Sequence, residues 1–276
     1  KEAQPMMTAE QVFWQSPAAY WPAYVLISCI IWLIIYRFDA INSRIFGDTF
    51  KQLARNQQLE WHSRVCSTVH AILAFLIGAY CLVKPELWQS SINATSWVMT
   101  LGLSVTCGYM LVDALYMFRY LRGWEMLQYQ LHHWVGFVGT VAFLAQPAVH
   151  SFLSVRYVTE LSTPFVNQLW FFKTTRTADK YPNLNLLNSL VLLVTFVSTR
   201  IAPLPIYWYL VVRDNIATDF IIFRERLPAG VSYIVLAFLI DFLNIFWTKK
   251  LFLGAKKLMQ KYFARNAPLD GEVKSK

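Results

Sequence analysis

VCSTVHAILAFLIGAYCLV, residues 65–83, decides the fold class. This run of nineteen residues contains no Asp, Glu, Lys or Arg, and a helix needs about 20 mostly apolar residues to cross a bilayer. Its one titratable interruption is His70. Runs of the same kind recur at roughly 22–38, 95–118, 128–146, 149–172, 186–212 and 230–248, which predicts about seven transmembrane helices. The whole chain agrees. It is 56% hydrophobic and 15% charged, with mean hydropathy +0.37, too apolar for a soluble domain of 276 residues. The fold class is therefore an all-α membrane protein.

The basic residues orient it. With seven spans and a lumenal N-terminus, 18 of the 25 Lys and Arg fall in cytosolic segments and five on the opposite side, as the positive-inside rule expects. The C-terminus is then cytosolic. The net charge of +9 lies mostly in the tail and cytosolic loops, where anionic headgroups attract it, so it does not point to nucleic acid. The expected organisation is a polar N-terminal segment at 1–21, a first span with its cytosolic loop at 22–57, the main bundle at 58–250 and a basic tail at 251–276. The loop 39–63 is read as holding a short interfacial helix, and the tail past Ala264 as disordered. Cys29, Cys66, Cys81 and Cys107 fall in spans without metal-ligand spacing, so they are read as reduced packing residues and no metal is expected.

Function is suggested by the polar exceptions. A charge near the bilayer centre costs roughly 2.5–3.5 kcal/mol on insertion scales, and such residues usually face a cavity or a partner. His70, Asp113, His132 and Glu160 come from four different hydrophobic segments. At 1.5 Å per residue, His70, Asp113 and the pair His132-His133 lie roughly 6–8 Å below the cytosolic surface, which predicts one shared pocket. In the fifth span Arg156, Glu160, Thr163 and Asn167 follow at i, i+4, i+7 and i+11, one helical face. That stripe can also be read as polar glue, with Arg156 pairing to Glu160. Tyr109, Asp113 and Tyr116 share a face of the third span. Asp241 in the seventh is a structural partner for Arg200 in the sixth. Adjacent histidines project about 100° apart, so one is expected in the cavity and the other behind it. Imidazole can serve as general base or as an acyl-accepting nucleophile, with an acid such as Asp113 fixing its tautomer.

Four stretches carry a resemblance: LEWHSRVCSTVHA (59–71), GYMLVDALYMF (108–118), LHHW (131–134) and ELSTPFVNQLWFF (160–172). They resemble the TLC-domain family, whose best-known members are ceramide synthases; the last stretch is most like the TLC-domain-containing protein 4 subgroup. The resemblance implies a bundle of six helices around a central lipid-sized cavity, residence in the endoplasmic reticulum, and acyl-CoA as cosubstrate with no bound cofactor. It also implies that a membrane lipid or fatty acyl chain occupies the bundle. A homodimer is compatible with it. The synthases move a fatty acyl group from acyl-CoA to a sphingoid amine, and His132-His133 matches their catalytic pair. Their His-Asp-x-x-Asp element is replaced here by Thr159-Glu160-Leu161-Ser162-Thr163, which keeps one carboxylate and argues against ceramide synthesis itself.

The resulting expectation is an acyl-lipid-handling membrane protein. His132, His133, Asp113 and Glu160 are its catalytic candidates. His70, Arg156, Thr163, Asn167, Tyr109 and Tyr116 are its ligand-binding candidates. Arg and Lys at the cytosolic rim would hold CoA phosphates. The alternative is a non-catalytic lipid-binding protein that regulates membrane lipid composition. A proton-coupled transporter would also use such residues but favours an inverted repeat, and none is visible.

Overall fold

The computed structural model describes residues 17–37, 39–89 and 91–265. The proposed polar N-terminal segment lies almost wholly outside the described residues, as does most of the tail past Ala264. Every regular element among the described residues is helical. The longer helices are α1 (Trp21–Ile35), α2 (Arg55–Leu82), α3 (Trp97–Met117), α4 (Gly123–Ala145), α5 (His150–Val158), α6 (Thr163–Thr174), α7 (Pro182–Phe196), α8 (Leu204–Ala217) and α9 (Ala237–Arg265).

Four continuous helical stretches are long and apolar enough to cross a membrane: Arg55–Leu82, Trp97–Met117, Pro182–Ala217 and Leu227–Arg265. α1 is apolar but shorter. α4 carries Gln128, Gln130, His132 and His133 in its first half, and these polar residues keep it out of that class. The outward faces of the long stretches expose Leu73 and Leu76, Val194 and Ile206, and Phe238 and Phe242. Apolar side chains left outside in such numbers suit a lipid solvent, and the molecule is a multi-pass membrane protein.

The fifth expected span is not one helix. α5 gives way to a 3₁₀ turn, Thr159–Ser162, before α6 begins. Pro164 lacks the N–H that would bond the Glu160 carbonyl, and its ring crowds that carbonyl, so a regular α-turn cannot form there. The sixth is likewise interrupted by a π-turn, Val197–Ile201, where the Ala202 N–H reaches back to the Val197 carbonyl at 2.8 Å, just before Pro203. The first loop forms two short helices, Asp39–Ile45 and Gly47–Lys51, and α2 then starts at Arg55, earlier than expected.

Close approaches fix the packing order. α1 lies against α3, where Ser28 donates to the Val105 carbonyl at 2.9 Å and Gly108 leaves no room for a Cβ beside Ser28. α2 packs on α5 at Gly78; a Cβ there would stand 2.5 Å from that of Tyr157. α3 and α4 are tied by Gln130, which donates to the Ala114 carbonyl at 2.7 Å. α6 joins α2 through Asn167 and joins α7 through Asn188, which donates to the Phe165 carbonyl at 3.0 Å. α9 packs along α7, and the turn before it, Ser232–Leu236, packs on α4.

Candidate functional site

α3 positions Asp113 with its carboxylate turned inward, and three hydroxyls converge on it. Tyr36, just past α1, donates to Oδ1. Ser63 of α2 donates to the same oxygen at 2.7 Å, and Tyr109, one turn earlier on α3, reaches Oδ2 at 3.3 Å. His133 Nε2 lies 3.4 Å from Oδ2. All five groups are buried. Tyr116 packs its ring on Tyr36, with centroids 4.3 Å apart. The result is a closed web joining four helices.

Beside this web lies a pocket with about 920 Å³ of empty space, its open mouth included. His70, Thr106, His132, Glu160, Arg156 and Arg200 are among its polar groups. Leu103, Met110, Phe143 and Leu236 are among its apolar ones. His70 stacks on Tyr109 at 4.1 Å and its Nε2 is 3.0 Å from the Thr106 hydroxyl, which also accepts from Tyr157 at 2.8 Å. His132 projects from α4 onto the pocket wall, edge-on to Trp247 at 5.7 Å between ring centroids. Its Nδ1 has no hydrogen-bond partner among the described residues.

Two buried ion pairs frame the pocket, and their partners differ from those read off the spacing. Arg156 pairs with Asp241, not Glu160: Nη1 meets Oδ1 and Nη2 meets Oδ2 at 3.0 Å. The Trp208 indole also donates to Asp241 at 2.9 Å, and the guanidinium sits 4.0 Å over the Tyr207 ring. Arg200 pairs with Glu160 instead of Asp241, at 3.6 Å. Its other donors go to Ser162 at 3.0 Å, Asn244 at 3.1 Å and Thr163 at 3.2 Å. Thr163 in turn donates to Glu160 at 2.7 Å. The exchange follows from the 3₁₀ turn, which takes Glu160 off the α5 face that Arg156 occupies.

Of the candidate residues, the pocket therefore gathers His70, His132, Arg156 and Glu160. His133 and Asp113 stand behind the wall, together with Tyr109 and Tyr116. Thr163 touches the pocket's ion pair without lining it. Asn167 lies elsewhere, bonded to Thr68 at 3.0 Å and to the Arg64 carbonyl at 3.2 Å, where it joins α6 to α2. Arg200 and Asn244 are pocket residues that the spacing did not assign. The signal was available in Arg200, an arginine inside an apolar run, but its partner was misread.

The TLC-domain family model matches residues 60–253, most of the chain. The chain belongs to the TLC-domain family. TLC domain-containing protein 4-A of Xenopus laevis is 34% identical over 233 residues, covering 81% of this chain and 87% of the relative. Human TLC domain-containing protein 4 is 25% identical over 245 residues, covering 86% and 88%. An uncharacterized TLC domain-containing protein of Schizosaccharomyces pombe is 26% identical over 234 residues, covering 82% and 76%. The Xenopus and human relatives carry the name of the subgroup that residues 160–172 resemble. No solved structure matches the chain. The matched region contains every pocket residue of this TLC-domain protein, and the family is one of lipid-related membrane proteins.

Proposed function

We propose that this TLC-domain protein holds an acyl-chain lipid in the pocket and transfers its acyl group at His132. The bundle would make seven passages, six of them around the pocket, with the N-terminus lumenal, the C-terminus cytosolic and the endoplasmic reticulum as its membrane. The observation that carries the reading is the composition of one pocket: apolar walls on α3, α4 and α9, with two imidazoles, a carboxylate and two guanidinium groups from separate elements. An acyl chain fits the walls, and a thioester carbonyl would lie at the polar residues. His132 would take the proton of an attacking amine or other lipid acceptor as it adds to the carbonyl of acyl-CoA. The C–S bond then breaks and the proton passes to the departing CoA thiolate. Arg64, over the Tyr129 ring, and Lys250, bonded to Gln128, both beside the first half of α4, would meet the CoA phosphates.

A second reading, a lipid-binding protein that shapes membrane composition without chemistry, is favoured by one observation. Glu160 and both arginines are already committed to ion pairs, which holds the cavity's shape but leaves His132 as the only uncommitted acid–base group on its wall among the named polar residues. Mass spectrometry of the purified full chain, together with an acyl-CoA turnover assay across a panel of amines and alcohols, separates the two. Retained acyl lipid with turnover supports transfer. Retained lipid without turnover supports binding alone, and no retained acyl lipid contradicts both.

A further inference from the structure

α9 has an outward face that never meets the pocket. Phe238, Phe242 and Ile245 are exposed on it, as side chains turned to lipid are. Continued at helical spacing, the same face carries Lys249, Phe252, Leu253 and Lys256, at i, i+3, i+4 and i+7, and all four are exposed. Two cations are therefore set into a stripe that is otherwise apolar.

The protein offers them no counter-ion. α7, which packs along α9, has no charged residue between Pro182 and Phe196. The acid within α9, Asp241, is taken by Arg156. Asp179 takes Lys261 at 2.7 Å, and Lys250 goes to Gln128 at 3.3 Å. Lys249 and Lys256 enter no hydrogen bond or ion pair among the described residues. The helix that carries them is held on both sides of the stripe. Lys250 ties it to α4, and near its end Tyr262 donates to Asn183 at 2.9 Å and Arg265 to the Asp179 carbonyl at 3.2 Å. The two positions are thus fixed two turns apart, about 10 Å along the axis. An unpaired cation on a lipid-facing stripe is costly unless its stem carries the charge to the phosphates of the bilayer surface.

We infer that Lys249 and Lys256 form a site for one phospholipid of net negative charge. Its phosphate lies between the two ammonium groups, and its acyl chains run along Ile245 and Phe242. A zwitterionic headgroup brings its own cation to the phosphate and so competes with the lysines; a net anionic headgroup does not. The inference is independent of what the pocket holds.

The test is native mass spectrometry of the full chain in detergent, titrated with an equimolar mixture of phosphatidylserine and phosphatidylcholine that share the same acyl chains. The wild type is expected to retain phosphatidylserine in preference. A lysine at a membrane surface strengthens the binding of an anionic lipid about fivefold, so Lys249→Gln and Lys256→Gln should each lower the preference by about that factor and the double variant by about 25-fold. Both side chains are exposed and unpaired, so the variants should unfold at the wild-type temperature. Lys256→Arg should keep the preference. Lys51→Gln, at an exposed lysine of the first loop, should leave it unchanged. The site is wrong if the wild type shows no preference for phosphatidylserine, or if the double variant keeps the wild-type preference. It is also wrong if Lys51→Gln lowers the preference as much as the α9 variants do, since the attraction would then belong to the net charge and not to this stripe.

Discussion

His132 and His133 are adjacent on one helix and belong to two different environments. His133 points into the Asp113 web, with Nε2 3.4 Å from the carboxylate and its ring beside that of Tyr109. His132 points the other way, onto a pocket wall shared with Glu160 and Arg200. The 100° between successive helical residues produces this division. In the web, Asp113 accepts from three hydroxyls and so joins helices, as interhelical hydrogen bonds do in a membrane, while His133 Nδ1 has no hydrogen-bond partner among the described residues. In the pocket, ion pairs line an open volume and the His132 imidazole lies on its wall. Burial of a titratable group in an apolar bundle is therefore not enough to mark chemistry; what matters is whether a ligand can reach it.

This contrast can be broken in several ways. The largest effect is expected from His132→Ala, which should lower acyl transfer by about 10²–10⁴-fold while leaving thermal stability near wild type. His133→Ala should do the reverse, weakening the fold more than the chemistry. A rate loss confined to His133→Ala would place the reactive imidazole in the web and reverse the assignment. The next largest is Asp113→Ala. Removing the shared acceptor strands the Tyr36, Ser63 and Tyr109 hydroxyls, and the expected loss of stability is about 3 kcal/mol, read by thermal unfolding in detergent. Unchanged stability with abolished transfer would make Asp113 catalytic. The smallest is Thr163→Val, which removes the hydrogen bond that Thr163 donates to Glu160 and the one it accepts from Arg200, and should cost about 1–2 kcal/mol with bound lipid retained.

Much of this architecture was legible because a bilayer makes hydrophobic runs and stray charges conspicuous. The run at 65–83 gave α2, and depth counted at a fixed rise per residue brought His70 and His132 to one pocket, although the same count also put Asp113 and His133 there and both lie behind its wall. The failures share a cause. Arg156 and Glu160 form an i,i+4 pair only if residues 149–172 make one regular helix, and the signal against it is Pro164, which changes the helical register. From that single turn the ion pairs exchange partners, Glu160 taking Arg200 and Arg156 taking Asp241. Tyr36 had no sequence signal at all: its role depends on how α1 docks on α3, a tertiary contact with no local pattern.

The central claim is that an acyl chain lies in the pocket with its reactive end at His132. The direct measurement is photocrosslinking of the full chain in membranes with a fatty acid that carries a diazirine at its methyl end, followed by peptide mapping. The account predicts adducts on peptides containing pocket residues such as Leu103, Phe143 or Tyr233, and their loss when unlabelled fatty acid competes. Adducts confined to the outward faces, at residues such as Leu76, Val194 or Phe242, with no competition, would contradict it.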